Sequence, residues 1–110
     1  MSNEEKEEIS LIDRLNQETG VIPWSELVRH FARGVVIHVS VQIDLIDAAV
    51  CLIEDDVALL RKWADNGSVR RASDDDARDW TEREPDFWCV VSAPWVLVQE
   101  KTHATRSTVH

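Results

Sequence analysis

The chain has 110 residues and a mass of 12.6 kDa, which fits one folded domain. Its formal net charge is −9 and 44% of its residues are hydrophobic, a composition typical of an acidic globular protein. The acidic surplus disfavours nucleic acids and anionic membranes as partners, and no apolar run approaches the roughly 20 residues of a membrane span. Two cysteines are too few for a disulfide scaffold, so we expect a cytoplasmic protein.

The first third of the chain predicts two helices. Residues 1–8 are polar and acidic, and we expect a flexible N-terminus there. A helix is predicted over residues 5–17, ending before Gly20, and Pro23 suits the first turn of a second helix that ends at Gly34. The apolar face of the second helix follows the i, i+3, i+4, i+7 spacing of Trp24, Leu27, Val28 and Phe31.

The middle of the chain predicts a strand followed by two helices. The β-branched run Val35–Val41 is too short for an amphipathic helix and is typical of a strand. Apolar residues recur at helical spacing over residues 43–53, and the acidic run 54–56 favours the start of another helix. Asn-Gly at 66–67 ends that helix, and residues 68–72 predict a short edge strand.

The C-terminal third predicts a helix and two strands. Ser73, followed by three aspartates, predicts the N-cap of a helix that Pro85 ends. Strands are predicted at Phe87–Ser92 and Trp95–Gln99, with an Ala-Pro pair between them that forms a hairpin or a bend. Residues 101–110 lack periodicity, and we expect a disordered polar tail.

Together these elements predict an α+β fold in one domain over residues 9–100. Four or five helices would pack on a small, mainly antiparallel sheet. A winged-helix-like arrangement is the alternative, and its recognition helix would begin with Asp74, Asp75 and Asp76. Because these acids would repel DNA phosphates, neither arrangement predicts a nucleic-acid-binding protein.

Four stretches of the sequence resemble a known family. They are FARGVVIHVS at 31–40, QIDLIDAA at 42–49, EDD at 54–56 and FWCVVSAPWVLVQE at 87–100. Together they resemble a family of small bacterial proteins catalogued as domain of unknown function 2288, over about residues 10–100. The resemblance implies a bacterial cytoplasmic domain and transfers no activity, cofactor or site residue.

A few polar residues are candidates for chemistry. Asp44 and Asp47 lie one turn apart on a predicted helix, where two carboxylates can bind a hard cation, but the solvent-facing side of an amphipathic helix accounts for them more simply. His38 could act as a base toward Cys89, yet Cys89 lies in an apolar strand without a nucleophile motif. The sequence therefore predicts no cofactor and no catalytic residue, with Asp44 and Asp47 as the candidate metal ligands.

The predicted C-terminal strands are apolar on both faces, which bears most directly on function. Such strands must be covered on both sides by helices, by a partner subunit or by a ligand. Trp88 and Trp95 flank the Ala-Pro pair, and their exposure on such strands would favour a homodimer through this region. The other candidate partner is a basic protein that contacts the acidic helices. We expect a non-enzymatic interaction or regulatory module. The alternative is a small enzyme or ligand-binding protein with a pocket near His38, Trp88 and Trp95, assisted by a metal at Asp44 and Asp47.

Overall fold

The computed structural model describes residues 3–101, with side chains from residue 11 onward. Helices and strands alternate along this part of the chain, apart from two consecutive helices and a final hairpin. The elements are α1 (Asn3–Glu18), β1 (Gly20–Pro23), α2 (Trp24–Ala32), β2 (Val36–Val39), α3 (Leu45–Glu54), α4 (Val57–Asp65), β3 (Val69–Arg71), α5 (Asp74–Arg83), β4 (Asp86–Ser92) and β5 (Trp95–Glu100).

The five strands form one mixed sheet in the order β1-β4-β5-β2-β3. Strand β5, the last in sequence, lies at the centre of the sheet, antiparallel to β4 and parallel to β2. The β1–β4 and β2–β3 pairings are also antiparallel. The predicted α+β fold with a mainly antiparallel sheet is therefore confirmed.

Helices α1, α3 and α4 cover one face of the sheet, called here the α3 face. Side chains from α1 and α3 pack there against alternate residues of the central strands. The fully buried strand positions on this side include Val39, Val90 and Leu97. Half-buried Trp63 of α4 and Trp95 of β5 extend the same cluster.

Helices α2 and α5 cover the opposite face, called here the α5 face. Trp80 of α5 is 1% exposed, and its ring centroid lies 5.4 Å from that of Trp24 and 4.9 Å from that of Phe87. The Trp80 indole N–H donates to Glu100 Oε2 at 3.2 Å, so its polar atom is satisfied within the core. Val96 and Val98 of β5 complete this cluster. Helices of the same chain thus cover both faces of β5, while Trp88 and Val91 of β4 stay exposed.

Helix starts are fixed by side chains that the sequence singled out. Asp44 caps α3 by accepting the backbone N–H of Ile46 at 2.8 Å, and Asp56 caps α4. At α5, Ser73 and Asp76 form a reciprocal capping box, which confirms the predicted N-cap. Asp76 also forms a bidentate ion pair with Arg70 on β3. The hydrogen bonds from Arg70 lower the pKa of Asp76 from 3.8 to about 2.

Two features differ from the sequence-based expectations, and the predictions for the chain ends are not tested. The sequence analysis did not predict strand β1, because Pro23 suggests the first turn of a helix. In the structure Pro23 has an extended conformation, ends the edge strand β1 and is the N-cap of α2. The layered sheet also replaces the winged-helix-like alternative, since helices flank both of its faces. Flexibility over 1–8 and the disordered tail over 101–110 stay predictions: residues 1–2 and 102–110 lie outside the described residues, and α1 begins at residue 3.

We predict that Trp80→Ala lowers the free energy of unfolding by about 3–5 kcal/mol, because it removes the largest fully buried side chain. Trp88→Ala is the matched control, since Trp88 is 40% exposed and should cost roughly 1 kcal/mol or less. Urea unfolding followed by circular dichroism measures both values. Equal losses in the two variants would contradict the assignment of Trp80 to the core.

Candidate functional site

A groove opens on the α3 face, where the sheet extends beyond its helical cover. It has a volume of about 290 Å³ and is called here the Trp88 groove. One side is formed by Asn16 and Thr19 at the end of α1, and the other by residues 41–46, which lead into α3. Trp88 of β4 and Gln99 of β5 line the groove from the sheet. The volume lies near the lower end of the range for small-ligand pockets.

The loop that forms one side of the groove is held to the sheet by a single side chain. Gln99 Nε2 donates to the backbone carbonyls of Ser40 at 2.7 Å and Ile43 at 2.6 Å. The Asp44 carboxylate then accepts the first free N–H groups of α3. Both polar contacts fix the loop backbone, so the groove is preformed.

Trp88 lies at the centre of an exposed apolar patch. It is 40% exposed, and its direct cross-strand partner on β1, Val21, is 49% exposed on the same face of the sheet. Val41, which also lines the groove, is 59% exposed. The ammonium of Lys101 lies 5.0 Å from the centre of the Trp88 ring, a cation–π distance. The ring face therefore already accepts one positive charge.

The groove has one carboxylate among its described lining residues, and the ammonium of Lys101 lies over its indole. Asp44 is the charged residue among its described lining residues, and the remaining polar groups are amides and a hydroxyl. The net charge of the whole chain is −9. An exposed aromatic ring beside a carboxylate favours a cationic group that also has apolar surface.

His38 lies on the other side of the sheet from the Trp88 groove. It sits on β2 between Arg70 of β3 and Val98 of β5, and its ring centroid is 5.6 Å from that of Trp80. Its Nδ1 atom is buried and has no hydrogen-bond partner among the described residues. Burial, followed by the charge of Arg70, lowers the pKa of His38 from 6.5, which favours neutral imidazole at pH 7.

The structure does not support a nucleophile–base pair between Cys89 and His38. Both residues pair with Val98 from opposite sides of β5, which separates them by two strand spacings, or about 10 Å. Burial raises the pKa of the Cys89 thiol, while the pKa of His38 is lowered. Each group is thereby held in its neutral form, the opposite of an activated thiolate–imidazolium pair.

Trp95 lies on the same face as Trp88 but at the other end of the hairpin. Trp88 pairs with Gln99 and Trp95 with Ser92, so the two indoles stand four residues apart along β5, about 14 Å. Trp95 is half-buried, and the Arg71 guanidinium lies 5.4 Å from its ring centre. The structure thus does not bring His38, Trp88 and Trp95 into a shared pocket.

The two candidate metal ligands, Asp44 and Asp47, both lie at the start of α3 but make different contacts. Asp44 is committed to capping α3, and Asp47 lies exposed in the first turn of that helix. Within residues 11–101, whose side chains the structure describes, no three His, Cys, Asp or Glu side chains converge as a metal site would require. Asp44 belongs instead to the Trp88 groove, together with Val41 and Gln99, which the sequence did not indicate. The sequence signal for Val41 was its position as an apolar residue in the short polar segment that precedes the N-cap Asp44.

The fold and its groove define a small α+β domain with an exposed aromatic side chain in a surface groove. By sequence, the chain belongs to the family described as a protein of unknown function (DUF2288), whose model matches residues 10–100. The family resemblance stated from sequence is thereby confirmed. No helix within residues 3–101 has the length and apolarity needed to cross a membrane.

One solved structure resembles the chain over most of its length. It is the NMR solution structure of PA1075 from Pseudomonas aeruginosa, with 40% sequence identity and a TM-score of 0.75. The alignment covers 84% of this chain and 86% of that one. No curated protein matches the chain.

We predict that His38 makes the fold less stable as pH falls. Because the folded-state pKa is lowered, the unfolded chain binds a proton more readily, so the contribution of His38 is present above pH 6.5 and is lost as pH falls toward the folded-state value. Arg70 opposes protonation, whereas Asp76 and Glu100 favour it. Urea unfolding at pH 7.5 and 5.0 should show a larger loss in wild type than in His38→Gln. Equal losses would contradict the prediction.

Proposed function

We propose that the protein is a non-enzymatic interaction module of the bacterial cytoplasm that binds a basic, partly apolar segment of a partner protein in the Trp88 groove. The observation that carries the proposal is the exposed Trp88–Val21 pair beside the carboxylate of Asp44. Large exposed aromatic side chains in preformed grooves are frequent anchors of protein interfaces. The bacterial relative and the two unpaired cysteines support a reducing bacterial compartment.

The neutral protonation states of Cys89 and His38, the two candidate catalytic groups, favour a binding role over catalysis. The Cys89 thiol and the His38 imidazole are both held neutral, and they lie on the face away from the groove. In the groove, the carboxylate of Asp44 accepts hydrogen bonds from two backbone N–H groups of α3. Such a carboxylate attracts positive charge but is poorly placed to transfer a proton.

A basic partner is favoured over a second copy of the chain by electrostatics. Two copies would each carry a net charge of −9, to which Asp44 of the groove contributes. A lysine- or arginine-bearing segment would instead gain the attraction to Asp44, and its cation would replace Lys101 over the Trp88 ring. Self-association through the same patch is the second candidate, because Val21 belongs to the edge strand β1.

The test is binding of an eight-residue peptide of alternating lysine and leucine, with the glutamate–leucine peptide as the charge control. We expect binding of the lysine peptide to move the Trp88 indole signal in ¹H–¹⁵N spectra. Trp88→Ala should weaken binding about tenfold or more, and Asp44→Asn about two- to fivefold. Asparagine is an equally good N-cap, so Asp44→Asn removes the charge and keeps the start of α3.

Val91→Ser is the matched control for loss of an exposed apolar side chain. Val91 is 55% exposed and alternates with Trp88 along β4, so it faces the opposite side of the sheet. Its replacement should leave peptide affinity unchanged. Equal binding of both peptides, or equal weakening by Val91→Ser and Trp88→Ala, would refute the proposal. A dimer in sedimentation experiments that Trp88→Ala dissociates would assign the groove to a second copy.

A further inference from the structure

A second cavity lies at the β2–β3 end of the sheet, where α2 ends and α5 begins. It has a volume of about 450 Å³, within the range of small-ligand pockets, and is called here the Arg33 cavity. It shares no lining residue with the Trp88 groove. Its lining combines apolar and charged side chains, among them Phe31, Val36, Ala72, Arg33, Arg71 and Asp74.

The backbone around the Arg33 cavity is held by contacts between its elements. Gly34 has a φ of +77°, a left-handed conformation that glycine adopts without strain, and it turns the chain from α2 toward β2. The Ala72 N–H donates to the carbonyl of Val36 at 3.0 Å, which joins the end of β3 to the start of β2. Arg71 Nη2 donates to the carbonyl of Gly34 at 2.9 Å. These contacts form the cavity before any ligand binds.

Three side chains of the cavity carry charges that have no ionic partner among residues 11–101. Arg33 and Arg71 have no carboxylate oxygen within 4 Å there, although the chain has 21 acidic residues. Arg71 uses one guanidinium nitrogen on Gly34, which leaves its other N–H groups for a ligand. The other two aspartates in the first turn of α5 each pair with an arginine, whereas Asp74 does not. The cavity therefore presents two cations and one anion to a ligand.

Charges of both signs beside apolar surface match a ligand with the same combination. A carboxylate can accept hydrogen bonds from both guanidiniums, and an ammonium can pair with Asp74. A phosphate ester would instead be repelled by the three aspartates in the first turn of α5. We infer that the Arg33 cavity binds a free α-amino acid with an apolar side chain. Arg33 and Arg71 bind its carboxylate, Asp74 binds its ammonium, and Phe31 and Ala72 contact its side chain.

A titration of the wild-type protein with three related compounds tests the ligand class. L-Leucine carries both charges, N-acetyl-L-leucine lacks the ammonium, and L-leucinamide lacks the carboxylate. L-Leucine should move the backbone signals of Gly34 and Ala72 in ¹H–¹⁵N spectra in a saturable manner. We expect each of the other two compounds to bind about five- to tenfold more weakly, because each leaves a charged group of the cavity without its partner.

Two charge-neutralising variants test the roles of the side chains, each with a matched control on the same helix. Arg33→Gln should weaken binding of L-leucine and of N-acetyl-L-leucine about fivefold or more. Arg29→Gln, at an exposed position one turn earlier outside the cavity, should weaken neither. Asp74→Asn should weaken L-leucine binding about three- to fivefold and leave N-acetyl-L-leucine binding unchanged. Asp75→Asn, at the next position of α5 and outside the cavity, should change neither.

The outcomes decide the inference separately from the proposed function. Weaker L-leucine binding in Arg33→Gln and Asp74→Asn, with unchanged binding in both controls, would support the inference. No saturable shift with L-leucine up to about 10 mM, or equal affinity for all three compounds, would overturn it. Inorganic phosphate that binds more tightly than L-leucine and loses affinity in Arg33→Gln would also overturn it, because the cavity would then be an anion site. The lysine–leucine peptide should bind Arg33→Gln as tightly as wild type, since its groove shares no residue with this cavity.

Discussion

Burial of β5 on both of its faces is the constraint on which the rest of the structure depends. Val96 and Val98 face α2 and α5, whereas Leu97 faces α1 and α3, and all three are 5% exposed or less. A strand of this kind cannot lie at a sheet edge or against solvent, so helices must flank it on both sides. The interior position of β5 in the order β1-β4-β5-β2-β3, and the presence of helices on both faces, agree with that requirement.

The same constraint explains where the protein is open. Helical cover is complete over the centre of the sheet but ends near β1, where α1 gives way to the strand at Gly20. Trp88 and Val21 lie in that uncovered row, and Gln99 holds the neighbouring loop at a fixed height above it. The groove therefore lies between the end of α1 and the start of α3, and exposed Trp88 lies next to the buried residues of the sheet.

Local signals in the sequence predicted most elements. The β-branched run around Ile37, the N-cap residues Asp56 and Ser73, and the alternation in the C-terminal hairpin each depend on a few neighbouring residues, and each is found in the structure. Strand β1 escaped prediction because four residues ending in Pro23 carry too little periodicity to outweigh a helix-start signal. The sequence did not decide whether helices, a partner subunit or a ligand cover the two sheet faces, because that cover depends on how distant elements of the chain assemble.

The candidate site was predictable only in part. Two exposed-face candidates, Trp88 and Asp44, do lie at one groove, but they were assigned to different chemistries. Their proximity depends on the parallel β2–β5 pairing and on the contacts of Gln99, which join residues more than 50 positions apart. His38 and Trp95 could be placed on strands from sequence, while their distance from Trp88 depends on strand order and register.

The central position of the last strand also shapes how the chain reaches its native state. Val36 on β2 pairs with Val96, sixty residues later, so the core has a high contact order and the entropy of closing a long loop must be overcome early. During synthesis, helices α1 to α5 emerge from the ribosome before the strand that organises them. The apolar faces of those helices stay without their final partner until β5 has emerged, a period in which chaperone binding would protect the nascent chain from aggregation.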